Sequence, residues 1–389
     1  MDSRHLAGVA FCILLTWRCA AQTPTSTIHA SYAGDAACLS CHKDKAETFL
    51  GTAHHLTSRL AGSESIAGSF APGKNVLTTA NPELSYRMEA RDGQYFQSAV
   101  MGTPPKTSTH TERMDFVIGS GRKGQTYLYW KGDQLFELPV SYWTELQQWV
   151  NSPGYQDGFA DFDRPITPRC LECHATYFEA THPENHYKQT DFIVGISCEK
   201  CHGSGAEHVA RADAKNHQAS GSGMMISLGK LPRERQMDLC ALCHGGLGKE
   251  LAPAFSFVPG QALEQYLELP RPDPAARLDV HGNQVALLER SRCYQESGTM
   301  TCVTCHDVHQ PPRDAAAFSQ RCLSCHQVQS CGRFKTLGSQ IAGRCVDCHM
   351  PLQTSNLIVS DANGRSVRPK VRNHWIKVYA GTKLEGTAK

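Results

Sequence analysis

Hydrophobic and polar positions follow two different rhythms along this 389-residue chain. Between about residues 80 and 165 apolar and aromatic residues alternate with polar ones around short turn signals. Ser85 to Val100 is broken at Asp92-Gly93, and Gly124 to Val140 carries Tyr127, Tyr129, Leu135 and Leu138 about Gly132-Asp133. Alternation flanking Asp-Gly or Gly-Asp predicts β-hairpins, here a small antiparallel module. Trp130, Tyr142, Trp143 and Trp149 fit its core, with a docking surface or pocket as the alternative. Outside this stretch the pattern predicts short helices, such as Lys43 to Leu50 and Ala315 to Arg321, while 203–237 and 249–279 read as loops rich in Gly, Ser and Pro.

The N-terminus carries an uncharged run from Leu6 to Trp17, followed by Arg18-Cys19-Ala20-Ala21. That run is too short to span a bilayer and suits an export signal cleaved near Ala21. Cys19 as a lipid anchor is the weaker alternative, because Trp17 and Arg18 are bulky where such signals want small residues. Export predicts a periplasmic or secreted protein.

Apolar residues make up 40% of the chain, a little under the usual share, whereas Cys (18) and His (19) are far above it. The excess is organised. Seven CxxCH motifs occur, with Cys38, Cys41 and His42; Cys170, Cys173 and His174; Cys198, Cys201 and His202; and Cys240, Cys243 and His244. The remaining three hold Cys302, Cys305 and His306; Cys322, Cys325 and His326; and Cys345, Cys348 and His349. Two thiols at this spacing add to the two vinyl groups of one haem, and the adjacent imidazole binds its iron. Zinc sites, plain disulfides or a thioredoxin-like motif leave unexplained why a His follows the second Cys every time. The cofactors expected are therefore seven c-type haems. Cys12 and Cys19 fall in the leader, and Cys293 and Cys331 are expected to pair as a disulfide.

Motifs starting at 302, 322 and 345, and at 170 and 198, leave room for little beyond a short helix and a turn, so their haems must nearly touch. The expected fold is mostly α and irregular, with short helices wrapped around stacked c-type haems and an inserted small antiparallel β module. Its expected segments are a signal peptide (1–21), a one-motif module (22–80), the β module (81–165), a three-motif module (166–250), a loop-rich connection (251–292), and a second three-motif module with the tail (293–389).

Each iron needs a second ligand to be a low-spin carrier. Besides His5 and the motif histidines, eleven remain: His29, His54, His55, His110, His182, His186, His208, His217, His281, His309 and His374. Supply exceeds demand, which favours bis-His ligation over Met. His309, three residues after His306, points away toward a neighbouring haem. His208 follows His202 by a Gly-Ser-Gly turn that allows a reversal. His110, His182, His186 and His281 are candidates by position near the motifs; His29 and His217 are the poorest.

The stretch from Cys38 through Phe49 to His54 resembles the haem module of c-552/c-554-type multihaem cytochromes. Cys198 to Val209, Cys302 to Pro311, and Cys345 to Pro351 with a following His are similar to segments of other multihaem cytochromes. The resemblance implies electron transfer and distal ligation by His54, His208, His309 and His374. It implies His54 rather than His55 at that site.

Two functions fit. One is an electron carrier exchanging electrons with redox proteins as donor and acceptor, with a membrane-associated respiratory complex as one setting. The alternative is a reductase of a small nitrogen or sulfur compound at one open haem. Resemblance to ammonia-forming nitrite reductases would bring a CxxCK motif, which the sequence lacks, so a non-catalytic role is expected. The net charge of +2 falls to roughly −13 if a cleaved chain carries fourteen ionised haem propionates, which gives nucleic-acid binding no support.

Intact mass after acid-acetone extraction should exceed that of the chain cleaved near Ala21 by seven increments of about 616 Da, one per motif. Retention of fewer than six would refute the motif chemistry.

Overall fold

The computed structural model describes residues 31–182, 184–213, 225–270, 283–311, 314–355 and 358–379. The export segment, His29, His217 and His281 lie outside the described residues. Both predicted hairpins form. Asp92 (φ 50°) and Gly93 (φ 73°) are both left-handed and join Leu84–Arg91 to Gln94–Thr103, with Arg91 opposite Gln94. That is the turn whose twist matches its strands. Gly132-Asp133 joins Gly124–Lys131 to Gln134–Glu137.

These hairpins belong to something larger than a small insert. One sheet has four antiparallel strands: Val76–Thr78, Leu84–Arg91, Gln94–Thr103 and Lys106–Arg113. The other has seven, running from Ser58–Leu60 through Phe116–Ile118, Gly124–Lys131 and Gln134–Glu137 to Arg164–Pro165, with Val140–Trp143 and Gln148–Asn151 added beside Gly124–Lys131.

Period-two alternation in Gly124–Lys131 serves two cores at once. Tyr127 and Tyr129 point between the sheets, against Leu77, Tyr86, Met88 and Trp149. Leu128 and Trp130 point the other way, against Phe178, Tyr187 and Phe192 of the hairpin Ala175–Ala180/Tyr187–Val194. Leu171, inside the second CxxCH motif, belongs to this second core, so the β module fixes that motif directly.

The described residues are 29% helix and 28% strand, in several antiparallel sheets, which overturns the mostly α expectation. Two physical causes account for it. The two sheets recruit Ser58–Leu60 and Val76–Thr78 from before the alternating stretch. The motif-bearing parts also contain hairpins, at Ala175–Ala180/Tyr187–Val194, Leu352–Thr354/Lys370–Arg372 and Ser360–Ala362/Arg365–Val367.

The helices at Lys43–Phe49 and Ala315–Cys322 form where the pattern put them. The segment read as loop over 203–237 instead contains Ala206–Asp213 and the start of Arg233–His244. No helix of the described residues is long and apolar enough to cross a membrane.

Near the chain's end, Ser360–Ala362 packs on Gln148–Asn151, and the Thr78 hydroxyl donates to Asn363 at 2.7 Å. The last described part of the chain is thus fastened to the β sandwich.

Trp149 lies so close over Gly68 that any Cβ there would run into its indole ring. Gly68→Ala should cost about 1–3 kcal/mol in denaturant unfolding of the holoprotein, the range for overpacking. Gly229→Ala, which meets open space, should change it little.

Candidate functional site

Each CxxCH motif makes one tight helical turn. The backbone N–H of His42, His306 and His326 donates to the carbonyl of Cys38, Cys302 and Cys322, at 2.9 Å in all three. Local chemistry starts several of these turns. The Ser197 hydroxyl accepts from Glu199 N–H, Thr301 and Thr304 form a reciprocal cap, and Pro168 opens the helix Pro168–Glu172. One turn brings two thiols and an imidazole to the same side.

That side is a single connected cavity of about 2460 Å3, more than twice the size usual for one small ligand. All seven motif histidines and every motif cysteine except Cys41 line it. So do His54, His208, His309 and His374.

Four imidazole pairs face each other across it. Ring centres are 6.4 Å apart for His42 and His208, 6.1 Å for His54 and His244, 6.0 Å for His202 and His309, and 6.2 Å for His306 and His374. Two imidazoles bound to opposite sides of one metal ion, with nitrogens at ~2.0–2.1 Å, place their ring centres roughly 6 Å apart. These pairs therefore fit a haem iron between them.

Nδ1 of His202, His349 and His374 lies 2.8, 2.9 and 3.1 Å from the carbonyl oxygens of Ile226, Lys377 and Arg372. Donation from Nδ1 leaves Nε2 free for a metal. Burial lowers His306, and burial aided by neighbouring histidines lowers His54 and His374 and pushes His244 down to about 4, keeping these rings in the neutral, metal-binding form.

The thiols connect motif to motif. Cys38 lies next to Cys198, Cys173 to Cys243, Cys240 to Cys302, and Cys322 to Cys345. Cys201 with Cys240, and Cys305 with Cys322, lie within electrostatic reach. All seven motifs thus have a neighbouring motif. The described cysteines are all free, including Cys293 and Cys331, so the expected disulfide between those two is not formed. Cys293 sits instead beside Cys305 and Cys322, and Cys331 beside Cys345 and Cys348.

The profile described as "Cytochrome c554 and c-prime" matches residues 147–203, which hold two of the motifs. The chain is a multihaem c-type cytochrome. Dissimilatory sulfite reductase MccA of Wolinella succinogenes is 23% identical to the cytochrome over 267 residues, covering 56% of this chain. The chain spans 33% of that relative's length. Outer Cell Wall Cytochrome OcwA shares the fold, with a TM-score of 0.55 at 16% identity, covering 89% of this chain and 80% of that one.

Other candidate ligands of the cytochrome lie elsewhere. His110 is on the strand Lys106–Arg113, 3.0 Å from a Glu112 oxygen, with its ring against Phe162. His182 and His186 sit together in a small surface pocket, where His186 contacts Asp133 and Gln134. None of the three lines the cavity, and His281 lies outside the described residues. Among the described residues, no histidine ring faces His326 or His349 as the four pairs do.

Several wall residues of the cytochrome were not singled out from sequence. Thr57 Oγ1 lies 3.1 Å from Nδ1 of His174. The loop Gly119 to Gly124 brings Arg122 and Lys123 from the β module to the cavity. Its Gly-Ser-Gly-Arg-Lys-Gly run was the available signal. Arg169, just before the second motif, and Glu172 within it are both buried and pair at 2.6 Å, and burial lowers the affinity of Lys200 for its proton. The buried Glu199 carboxylate accepts from Ala33, Gly34 and Gly205 N–H at 2.8, 2.9 and 2.7 Å, tying the first motif's approach to the third.

His309→Ala should turn one haem high-spin, the one attached through Cys198 and Cys201, with all haems retained and the haem at Cys302 unchanged. Electron paramagnetic resonance of the variant checks this, with His55→Ala as a silent control. A high-spin signal from the His306 haem instead would mean that His309 serves its own motif.

Proposed function

We propose that the chain is an exported cytochrome that carries seven haems and conducts electrons between a donor and an acceptor protein through adjacent haems. The facing histidines carry this proposal. Four irons held between two imidazoles have no position left for a substrate, and such irons exchange electrons without breaking a bond.

The thiol contacts support the second half of the proposal. Cofactors attached at adjacent cysteines are themselves neighbours, which groups the first motif with the third, the second with the fourth and fifth, and the sixth with the seventh. Bis-His ligation lacks the potential-raising Met ligand, so low potentials follow. When bound, the haems supply the redox chemistry. The chain's own residues orient each imidazole through its Nδ1 contact and enclose the haems between the β sandwich and the C-terminal helices. The uncharged N-terminal run supports export to an oxidising compartment.

A second role, reduction of a small oxyanion, has one observation in its favour. No histidine ring of the described residues faces His326 or His349, and an iron open on that side would accept an exogenous ligand. The name of the sulfite reductase relative points the same way.

The reduced holoprotein should bind well under one carbon monoxide per chain, and sulfite, nitrite or hydroxylamine should not reoxidise it catalytically. Stoichiometric carbon monoxide binding together with turnover near 1 per second or faster, about the lower range for enzymes, would favour the reductase.

A further inference from the structure

We propose that the Thr57 hydroxyl sets the reduction potential of the haem attached through Cys170 and Cys173, by accepting a hydrogen bond from the imidazole that binds its iron. The inference rests on the reading that the second motif carries a haem, and it adds a residue outside every motif to the redox machinery. Thr57 Oγ1 lies 3.1 Å from His174 Nδ1. An imidazole bound to a metal through Nε2 carries its proton on Nδ1, so Thr57 is then the acceptor. Nδ1 of His202 and of His349 meets the carbonyl oxygens of Ile226 and Lys377 instead. The ring of the second motif is thus oriented by a side chain where the third and seventh motifs use backbone.

The backbone around Thr57 is held on several sides. Thr57 N–H donates to the His54 carbonyl at 3.2 Å, closing a tight turn, and the Thr57 carbonyl accepts from Gly119 N–H at 2.6 Å. The next residue, Ser58, opens the strand Ser58–Leu60 of the seven-stranded sheet. Its hydroxyl donates to the His174 carbonyl at 2.7 Å and accepts from Gly195 N–H at 2.8 Å. Ser58 therefore fixes the backbone of His174, and Thr57 its ring.

The same turn reaches two haem sites. Residues three apart on such a turn lie over one another, and His54, three before Thr57, faces His244 of the fourth motif with ring centres 6.1 Å apart. Cys173 of the second motif lies next to Cys243 of the fourth. One turn thus supplies an axial ring at one site and a hydrogen bond to the axial ring of its neighbour. Accepting from Nδ1–H pushes electron density toward Nε2 and the iron, which favours the ferric state and lowers the potential. Thr57 acts through His174 and is a positioning residue. The potential it sets governs the driving force between the second and fourth haems, where one iron is oxidised as the other is reduced.

Redox titration of the holoprotein, followed at the haem α-band, tests this. Thr57→Val keeps the shape of the side chain without an acceptor oxygen. In that variant one haem's equilibrium should shift toward the ferrous state by about three- to tenfold, the worth of one hydrogen bond, or about 28–59 mV for a one-electron couple. Thr57→Ser restores the oxygen and should titrate as the parent does. Thr57→Asn, with an amide carbonyl as acceptor, should move the same haem the other way, and it carries the test alone if the Val chain does not mature. A Val chain in which no haem moves by about twofold, less than one hydrogen bond supplies, would overturn the role of Thr57. So would a Ser chain that moves as far as Val, or an Asn chain whose haem moves up. The mass of the tryptic peptide holding Cys170 and Cys173 tests the underlying reading separately. A peptide without haem sinks that reading, whereas a haem-bearing peptide with an unmoved potential sinks Thr57 alone.

Discussion

The facing of imidazoles across the cavity is the contact on which the organisation of the motif-bearing chain depends. In no case does the facing ring come from the motif's own turn. His42 faces a ring on Ala206–Asp213, His202 one just beyond the fifth motif, His244 one before the β module, and His306 one near the chain's end. A metal ion held at such a point ties segments far apart in sequence, the kind of long-loop closure in which a cross-link removes most unfolded-state entropy. Binding energy there is folding energy as well. The tertiary structure around the cavity is thus specified more by where histidines fall than by apolar packing.

The β sandwich works by the opposite rule. Tyr127, Tyr129, Tyr86 and Trp149 are almost wholly buried and fill the space between two sheets with side chains alone. This conventional core gives the cavity one rigid wall. The wall is joined to the motifs at defined places: Leu171 in the second core, Ser58 Oγ donating to the His174 carbonyl at 2.7 Å, and Thr57 at the His174 ring. Ser291, between the helices Gln284–Glu289 and Arg292–Glu296, holds the C-terminal strap that carries His374, its hydroxyl donating to the His374 carbonyl and accepting from Ile376 N–H.

Much of the site was legible in the sequence because its chemistry is local. A CxxCH turn needs only five residues to declare itself, and all seven motif histidines reach the cavity. His54, His208, His309 and His374 were also singled out, through family resemblance, but their partners were not, since pairing between distant segments leaves no local trace. His110, His182 and His186, argued from proximity in sequence alone, lie away from the cavity. In the fold, Asp92-Gly93 and Gly132-Asp133 announced their hairpins. Asn363-Gly364, with φ of 51° and 72°, is an equally strong turn signal that went unread in what seemed a tail. The extent of the seven-stranded sheet was hidden because Ser58–Leu60 and Arg164–Pro165 are too short to carry a period.

The direction in which these rings face sets an order of assembly. A chain grows from its N-terminus, so His42 is made long before His208, His202 before His309, and His306 before His374. His244 alone among the four finds its opposite ring, His54, already synthesised. The fourth motif is therefore the one motif of the four whose facing ring precedes it, while the first waits until residue 208 for its own. Whatever attends this protein during its making must shield an incomplete interior until the strap bearing His374 arrives and the hairpin at Asn363 closes onto the sandwich built near the beginning.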